Sequence, residues 1–134
     1  MQKQILPLPT RNKWLQSRGF SSAVATTGGK TIWLAGHVGT SNDAEESLAN
    51  DFEAQVRQTF KSIEHSLKAL GGELSDLVTM TVYLRNQSDG NRFVELRREI
   101  LQKNFPASTL LTVAGFARPE ILVEITPVAV VNVE

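Results

Sequence analysis

The clearest periodic signal along the chain is an amphipathic helix over residues 52–70. Apolar side chains recur there at spacings of three and four residues, and most charged side chains occupy the other positions. Asn50 or Asp51 can accept hydrogen bonds from the first turn, and Gly71 can adopt the left-handed conformation that ends a helix. The pattern therefore predicts one long helix with a continuous apolar stripe, made of Phe52, Val56, Phe60, Ile63, Leu67 and Leu70.

The rest of the pattern predicts a second helix and five strands. A helix from about 92 to 103 places Phe93, Leu96 and Ile100 on one face, and the Phe-Pro pair at 105–106 closes it. Runs rich in apolar and β-branched residues predict the strands, at residues 20–27, 31–38, 77–84, 109–114 and 121–131.

The region before the first helix contains strong turn signals. Gly28 and Gly29 predict a tight turn, so we expect the first two strands to pair as a hairpin. Pro7 and Pro9 argue against regular pairing, and residues 1–17 are therefore expected to form an irregular N-terminal segment.

These elements, in the order ββαβαββ, predict an α/β (α+β) subunit with two helices packed on one face of a mixed sheet. Apolar residues occupy both sides of the last strand, so the face away from the helices also needs a cover. A second copy of the chain can provide it, which predicts a homo-oligomer with functional clefts between its subunits. The length of 134 residues suffices for one core, so we expect a single domain over residues 1–134.

The charge balance disfavours a nucleic-acid partner. Fourteen basic residues offset fourteen acidic ones, and a neutral chain supplies little of the long-range attraction on which phosphate binding depends. Arg97 and Arg98 lie between Glu95 and Glu99, and we interpret this short cluster as a solvated helix face.

Composition also narrows the possible chemistry and location. The chain has no cysteine, and the spacing of its two histidines matches no zinc motif, so we expect no metal site. No segment approaches the roughly 20 apolar residues that span a bilayer, and residues 1–9 contain no basic region followed by an apolar stretch of signal-peptide length. We therefore expect a cytoplasmic protein with no membrane partner.

Six strings, in order, resemble the Rid family, which is also called YjgF or reactive-intermediate deaminase and often carries the label endoribonuclease L-PSP. The resemblance covers about residues 18–131. Where the family usually has Ser-Gly-Gln-hydrophobic-Pro, this chain has Leu-Ala-Gly-His-Val. The strings are FSSAV (20–24), LAGHV (34–38), QVRQTF (55–60), LVTMTVY (77–83), FPAST (105–109) and LVEITPVA (122–129).

The resemblance implies a chorismate-mutase-like subunit and a homotrimer whose sheets pack into a central barrel, with clefts for small molecules at the three interfaces. The best-known members of the family hydrolyse 2-imino or 2-enamino acids to 2-keto acids and ammonia, and they use no cofactor. The resemblance further implies that Glu124 positions the hydrolytic water and that the backbone of Gly36 lines the cleft.

The chain departs from those deaminases at the residue that binds the substrate carboxylate. Ser108 stands where they have an arginine, and a charge-assisted hydrogen bond of that kind contributes about 1.5–3 kcal/mol. Phe20 replaces a frequent tyrosine, and Val94 replaces a frequent asparagine. We therefore expect an arginine-lacking branch of altered specificity, whose cleft binds a small carboxylated or carbonyl metabolite.

Each candidate residue also has a structural interpretation. Glu124 is either a general acid or base, or one half of an ion pair at an interface. Ser108 and Thr109 either contact a ligand or only shape the turn after the proline. Arg18 and Arg118 are candidates to replace the missing cation, with surface solvation as the alternative.

His37 either donates to a ligand or is a hydrogen-bonded structural residue. Two rival functions also stay open for the whole chain. The first is a non-catalytic trimer that binds a metabolite or another protein. The second is a ribonuclease, which the neutral charge disfavours.

Overall fold

The computed structural model describes residues 1–8 and 11–133, so Pro9 lies outside the described residues. These residues form six strands and three α-helices. In chain order they are β1 (Gln2–Ile5), α1 (Asn12–Ser17), β2 (Val24–Thr27), β3 (Lys30–Trp33), α2 (Phe52–Ala69), β4 (Leu77–Leu84), α3 (Gly90–Leu101), β5 (Ala107–Thr112) and β6 (Val123–Val131).

The predicted long helix is confirmed as α2, and its ends follow the sequence signals. The carboxylate of Asp51 accepts a hydrogen bond from the backbone N–H of Ala54 at 3.0 Å, which caps the first turn. Gly71 follows the last turn with φ of 86°. Four apolar residues of the predicted stripe, Val56, Phe60, Ile63 and Leu67, are buried in the core.

A mixed four-stranded sheet has the order β3-β6-β4-β5. The pair β4–β5 is parallel and the other two pairs are antiparallel. Side chains alternate between the faces, and both longer helices pack on one face, as predicted. The core between that face and the helices contains Met80, Val82, Leu84, Val123, Ile125 and Ala129 from the sheet.

The N-terminal segment differs from its prediction as an irregular region. Residues 2–5 form β1 and residues 12–17 form α1. The ammonium of Lys3 donates to the carbonyls of Ser75, Leu77 and Asn104, at 3.0, 2.8 and 2.6 Å. Because these carbonyls lie at the edge of the main fold, the contacts hold β1 against it. The proline signal did not reveal them.

The predicted hairpin between the first two strands is wrong. β2 pairs with β1 in a separate two-stranded sheet, whereas β3 pairs with β6. Gly28 and Gly29 both have positive φ and do form the sharp connection. The hairpin was predicted from the glycine turn, with residues 1–17 expected to be irregular. The structure shows that β1, within that segment, takes the antiparallel position beside β2.

The face of the sheet away from the helices is uncovered in the single chain. Trp33 on this face is 79% exposed and Leu111 is 44% exposed. Val128 lies beside Trp33 in the register of β3 and β6. We name the face that these three residues share the open face. Among the helices of the described residues, none combines the length and apolar character that a membrane crossing requires.

Candidate functional site

A cavity of about 310 Å³ lies where the end of α1, the helix α3 and the strand β5 meet. We name it the α3 cavity. Its volume falls at the lower end of the range for small-molecule sites. Its lining combines two arginines with short polar and apolar side chains, and comprises Arg18, Phe20, Gln87, Gly90, Asn91, Val94, Arg97, Ser108, Leu110 and Thr112.

A close contact between the N-terminal segment and α3 positions one wall of the α3 cavity. Gly19 has φ of 76°, and a Cβ atom there would lie 3.0 Å from the backbone Cα of Arg98. Glycine therefore permits both the left-handed turn and the close approach. The turn places Arg18 and Phe20, two predicted ligand-binding residues, beside α3.

The charged centre of the α3 cavity is Arg97, which is only 2% exposed. Its Nη1 donates to the Oγ of Ser108 at 3.1 Å, and its Nη2 donates to the carbonyl of Arg18 at 2.8 Å. Its guanidinium lies 4.8 Å from the ring centroid of Phe20 and 5.4 Å from that of Phe93. Burial, and secondly the charge of Arg18, lower the pKa of Arg97 to about 10, which leaves it charged near neutral pH.

The interpretation of Arg97 as part of a solvated helix face is wrong. Its neighbour Arg98 is exposed, but Arg97 points inward. Helical spacing contains the signal, because Arg97 follows the buried Phe93 by four residues and Val94 by three. The prediction relied on the charge of Arg97 and its glutamate neighbours and not on its position on the helix. It therefore missed the most buried cation of the candidate site.

Glu124 and Gly36 lie together on the opposite face of the sheet. Glu124 pairs with Tyr83 of β4 and is half-buried. A Cβ atom at Gly36 would lie 2.8 Å from the Oε2 of Glu124. The backbone that follows β3 therefore passes directly against this carboxylate. Within residues 1–8 and 11–133, no basic side chain forms a salt bridge with Glu124.

The predicted ligand-binding residues separate between the two faces of the sheet. Ser108 pairs with the core residue Met80, so its side chain faces the helices and the α3 cavity. Thr109 is the next residue along β5 and faces the other way, on the side of Glu124. Ser108 and Glu124 therefore do not share a cleft within one chain.

Comparison with known proteins identifies the family. The sequence model of the family described as endoribonuclease L-PSP matches residues 11–131. This chain is a member of the endoribonuclease L-PSP family, also called the Rid or YjgF family. The matched region contains α1, the α3 cavity and Glu124.

Relatives agree with that membership, and a solved structure shows the same fold. A 2-iminobutanoate/2-iminopropanoate deaminase of Dermatophagoides farinae is 27% identical over 113 residues, which cover 84% of this chain and 86% of the relative. A 3-aminoacrylate deaminase, RutC, of Acinetobacter baylyi is 27% identical over 105 residues, or 78% and 82% of the two chains. The Rid-family protein YyfB of Yersinia pestis, of unknown function, superposes with a TM-score of 0.85 at 24% identity, covering 98% and 100%.

The remaining candidates of this Rid-family chain lie away from the α3 cavity. Arg118 is exposed, donates to the Oγ1 of Thr40 at 3.3 Å and lies 3.5 Å from Glu120. His37 has Nδ1 2.7 Å from the carbonyl of Ala35 and Nε2 3.0 Å from the Oγ of Ser66. Both ring nitrogens of His37 thus have partners within the chain.

The described part of the Rid-family chain offers no ready metal site. No group of three or more His, Asp or Glu side chains lies close enough there to hold a metal ion.

Proposed function

We propose that this chain hydrolyses a small imine or enamine that bears a carboxylate, releasing a carbonyl compound and ammonia. Two relatives at 27% identity are enzymes named for this class of reaction, an iminobutanoate/iminopropanoate deaminase and an aminoacrylate deaminase. Their chemistry supports the reaction class, while the differences at Phe20, Val94 and Ser108 support an altered specificity.

The observation on which the proposal depends is the unpaired carboxylate of Glu124. It lies in a strand that is otherwise mostly apolar, and it has no salt-bridge partner in the described residues. A half-buried charge without a partner costs free energy, so its presence favours a role in chemistry over a role in stability. The adjacent backbone of Gly36 leaves the carboxylate oxygen free of side-chain crowding on that side.

The proposed reaction needs only water and a proton-transferring group. Glu124 accepts a proton from water while the water oxygen forms a bond to the imine carbon. The proton passes to the nitrogen, which gives a carbinolamine. The second proton of the former water then passes from its oxygen to the nitrogen, the carbon–oxygen double bond forms, the carbon–nitrogen bond breaks with its electron pair on nitrogen, and ammonia leaves. An enamine first gains a proton at carbon and loses one from nitrogen, which converts it to the imine. The carbonyl product keeps the carboxylate, and no electron donor or acceptor is required.

The proposed site is completed by a neighbouring copy of the chain. The α3 cavity and Glu124 lie on opposite sides of the sheet, so one subunit cannot bring both to one ligand. The exposed Trp33 and Leu111 mark the open face as a surface that association can bury. We therefore place three copies around a central barrel, with the α3 cavity of one subunit facing the Glu124 side of the next.

Turnover of unstable substrates made in place tests the proposed reaction. A dehydratase supplies 2-iminobutyrate or 2-aminoacrylate, and keto-acid release is followed with and without the protein. We expect the wild type to accelerate release, and Glu124→Gln to reduce that acceleration at least about 100-fold, since it removes the proton acceptor.

Glu120→Gln is the matched control, because Glu120 lies near Glu124 in sequence but its side chain meets only the exposed Arg118 in the described contacts. It should retain the wild-type rate. Absence of acceleration by the wild type on both substrates would instead favour the non-catalytic binding trimer.

A further inference from the structure

The charges around the α3 cavity do not balance. Arg18 and Arg97 line it, and no carboxylate of the described residues does. The two oxygens that accept hydrogen bonds from Arg97 are a hydroxyl and a backbone carbonyl, and both are neutral. None of the salt bridges within residues 1–8 and 11–133 includes Arg97.

A buried charge without a counter-ion is costly, even when aromatic rings offset part of the cost. Arg97 also has unused donors. Its Nε is buried and has no hydrogen-bond partner in the described structure, and a guanidinium carries five N–H groups. Nη1 and Nη2 each make one hydrogen bond and keep a second N–H, so Arg97, at the wall of the cavity, is suited to donate to an anionic ligand.

The shape and chemistry of the cavity narrow the anion to a small carboxylate. Phe20, Val94 and Leu110 provide apolar walls, and Asn91, Gln87 and Thr112 provide neutral polar ones. A volume of about 310 Å³ suits a metabolite of a few carbons. The planar guanidinium matches a carboxylate with two parallel hydrogen bonds.

We infer that Arg97, from helix α3, binds the substrate carboxylate in place of the arginine that Ser108 replaces on strand β5. The inference rests on the proposed function for the identity of the ligand, and it names the residue that recognises it. The 3.1 Å contact between Arg97 and Ser108 puts the guanidinium at the serine, so a helix residue provides the charge that the strand residue lacks. Arg18, through its backbone carbonyl, is a positioning residue for Arg97.

Direct binding tests the inference without requiring turnover. The dissociation constant for 2-oxobutyrate, the stable product of the proposed reaction, is measured by calorimetry for wild type, Arg97→Met and Arg97→Lys. Loss of charge-assisted bonds should weaken binding roughly 10- to 100-fold in Arg97→Met. Arg97→Lys should fall between the two, because it keeps the charge and loses the planar fork.

Arg92→Met is the matched control from the same helix. Arg92 is exposed and pairs with Glu53 and Glu95 on the surface, so its removal should leave the dissociation constant unchanged. Butan-2-one, which lacks the carboxylate, should show no difference between wild type and Arg97→Met. Thermal unfolding of each variant separates loss of binding from loss of fold.

The same variants distinguish a structural role. Arg97→Met removes the hydrogen bonds to Ser108 and to the carbonyl of Arg18, so a purely structural role would lower the melting temperature and leave the 2-oxobutyrate affinity of the folded protein unchanged. In Arg97→Met/Ser108→Arg the guanidinium returns from strand β5, and we expect binding to recover to within about tenfold of wild type. Unchanged 2-oxobutyrate affinity in a folded Arg97→Met protein would overturn the inference.

Failure of the proposed function gives a different result. If the wild type binds 2-oxobutyrate through Arg97 but accelerates neither unstable substrate, the carboxylate site stands and the deaminase proposal falls. If the wild type turns over substrate and Arg97→Met does so equally well with the same KM, the deaminase stands and the role of Arg97 falls.

Discussion

Arg97 and Glu124 are two buried or half-buried charged side chains that form no salt bridge within the described chain. Their charges are opposite, but the sheet separates them, so neither neutralises the other in one subunit. Burial of a charge without an ionic partner costs free energy, so both groups are candidates for a functional role. The pair therefore provides the two functions proposed for this protein, carboxylate binding by Arg97 and proton transfer by Glu124.

The close approach of Gly36 to Glu124 predicts that one added carbon atom at position 36 lowers turnover. In Gly36→Ala the new Cβ would meet Oε2 at 2.8 Å, and the flexible carboxylate must move. Displacement of a catalytic group by about an ångström should lower turnover roughly 10- to 100-fold. The free energy of unfolding should change by less than about 1 kcal/mol, because the side chain and not the backbone shifts.

Gly115→Ala is the control for that substitution, since nothing lies within 4 Å of the position that its Cβ would take. Keto-acid release and urea unfolding are measured on both variants. Full activity in Gly36→Ala would show that the position of Glu124 does not matter for the reaction.

Part of this site was within reach of the sequence. Gly36 and Glu124 were selected through the family resemblance, and the structure places them in contact. Arg97 was missed because an arginine between two glutamates is usually solvated, although its spacing from Phe93 pointed inward. Whether a charged side chain is solvated also depends on the segment that packs over it. Here that segment is the turn at Gly19, and the spacing of residues in α3 gives no information about where this turn packs.

At the scale of elements, one buried glutamine links α2 to the start of β6. Gln55 is fully buried, and its Nε2 donates to the carbonyls of Leu48 and Glu120 at 3.1 and 2.8 Å. Its Oε1 accepts from the N–H of Leu122 at 2.9 Å. The three bonds hold the strand that carries Glu124 in a fixed position relative to the long helix.

Gln55→Leu should therefore destabilise the fold by about 3 kcal/mol, because three part-buried polar groups of the backbone lose their partners. Gln58 lies three residues after Gln55 on the same helix. Gln58→Leu removes only a hydrogen bond to the exposed Asp43 and should lower the free energy of unfolding by less than about 0.5 kcal/mol. Urea titrations give both values. A loss below 1 kcal/mol in Gln55→Leu would contradict the role given to this network.

The elements themselves were predicted to different degrees. The apolar period of α2 and the apolar, β-branched run of β4 were long and uninterrupted, and the bounds of both elements agree with the prediction almost residue for residue. The strands β1, β2 and β3 are four residues each, too short to show a period, and their pairing depends on contacts distant in sequence. Lys3, whose ammonium reaches three carbonyls more than 70 positions away, is such a contact.

For the whole molecule, the open face determines the expected assembly. Trp33→Glu places a charge on the surface that the proposed trimer buries, and it should convert the protein to monomers, since an unpaired interfacial charge is costly. The isolated subunit should stay folded, because Trp33 is 79% exposed within it.

Leu70→Glu is the matched control, since Leu70 is 43% exposed at the end of α2, away from the open face. Sedimentation velocity on wild type and both variants gives the mass in solution. A wild type that sediments as a monomer would refute the shared site, and a trimer that survives Trp33→Glu would move the interface elsewhere.

The most direct measurement mixes two variants, each inactive by itself. Arg97→Met lacks the proposed carboxylate-binding group and Glu124→Gln lacks the proposed base, so each alone should turn over little dehydratase-generated 2-iminobutyrate. If a site takes Arg97 from one subunit and Glu124 from the next, exchanging subunits in equal amounts should restore about a quarter of the wild-type rate. A mixture that stays inactive, with exchange verified by native mass spectrometry, would contradict a site shared between subunits.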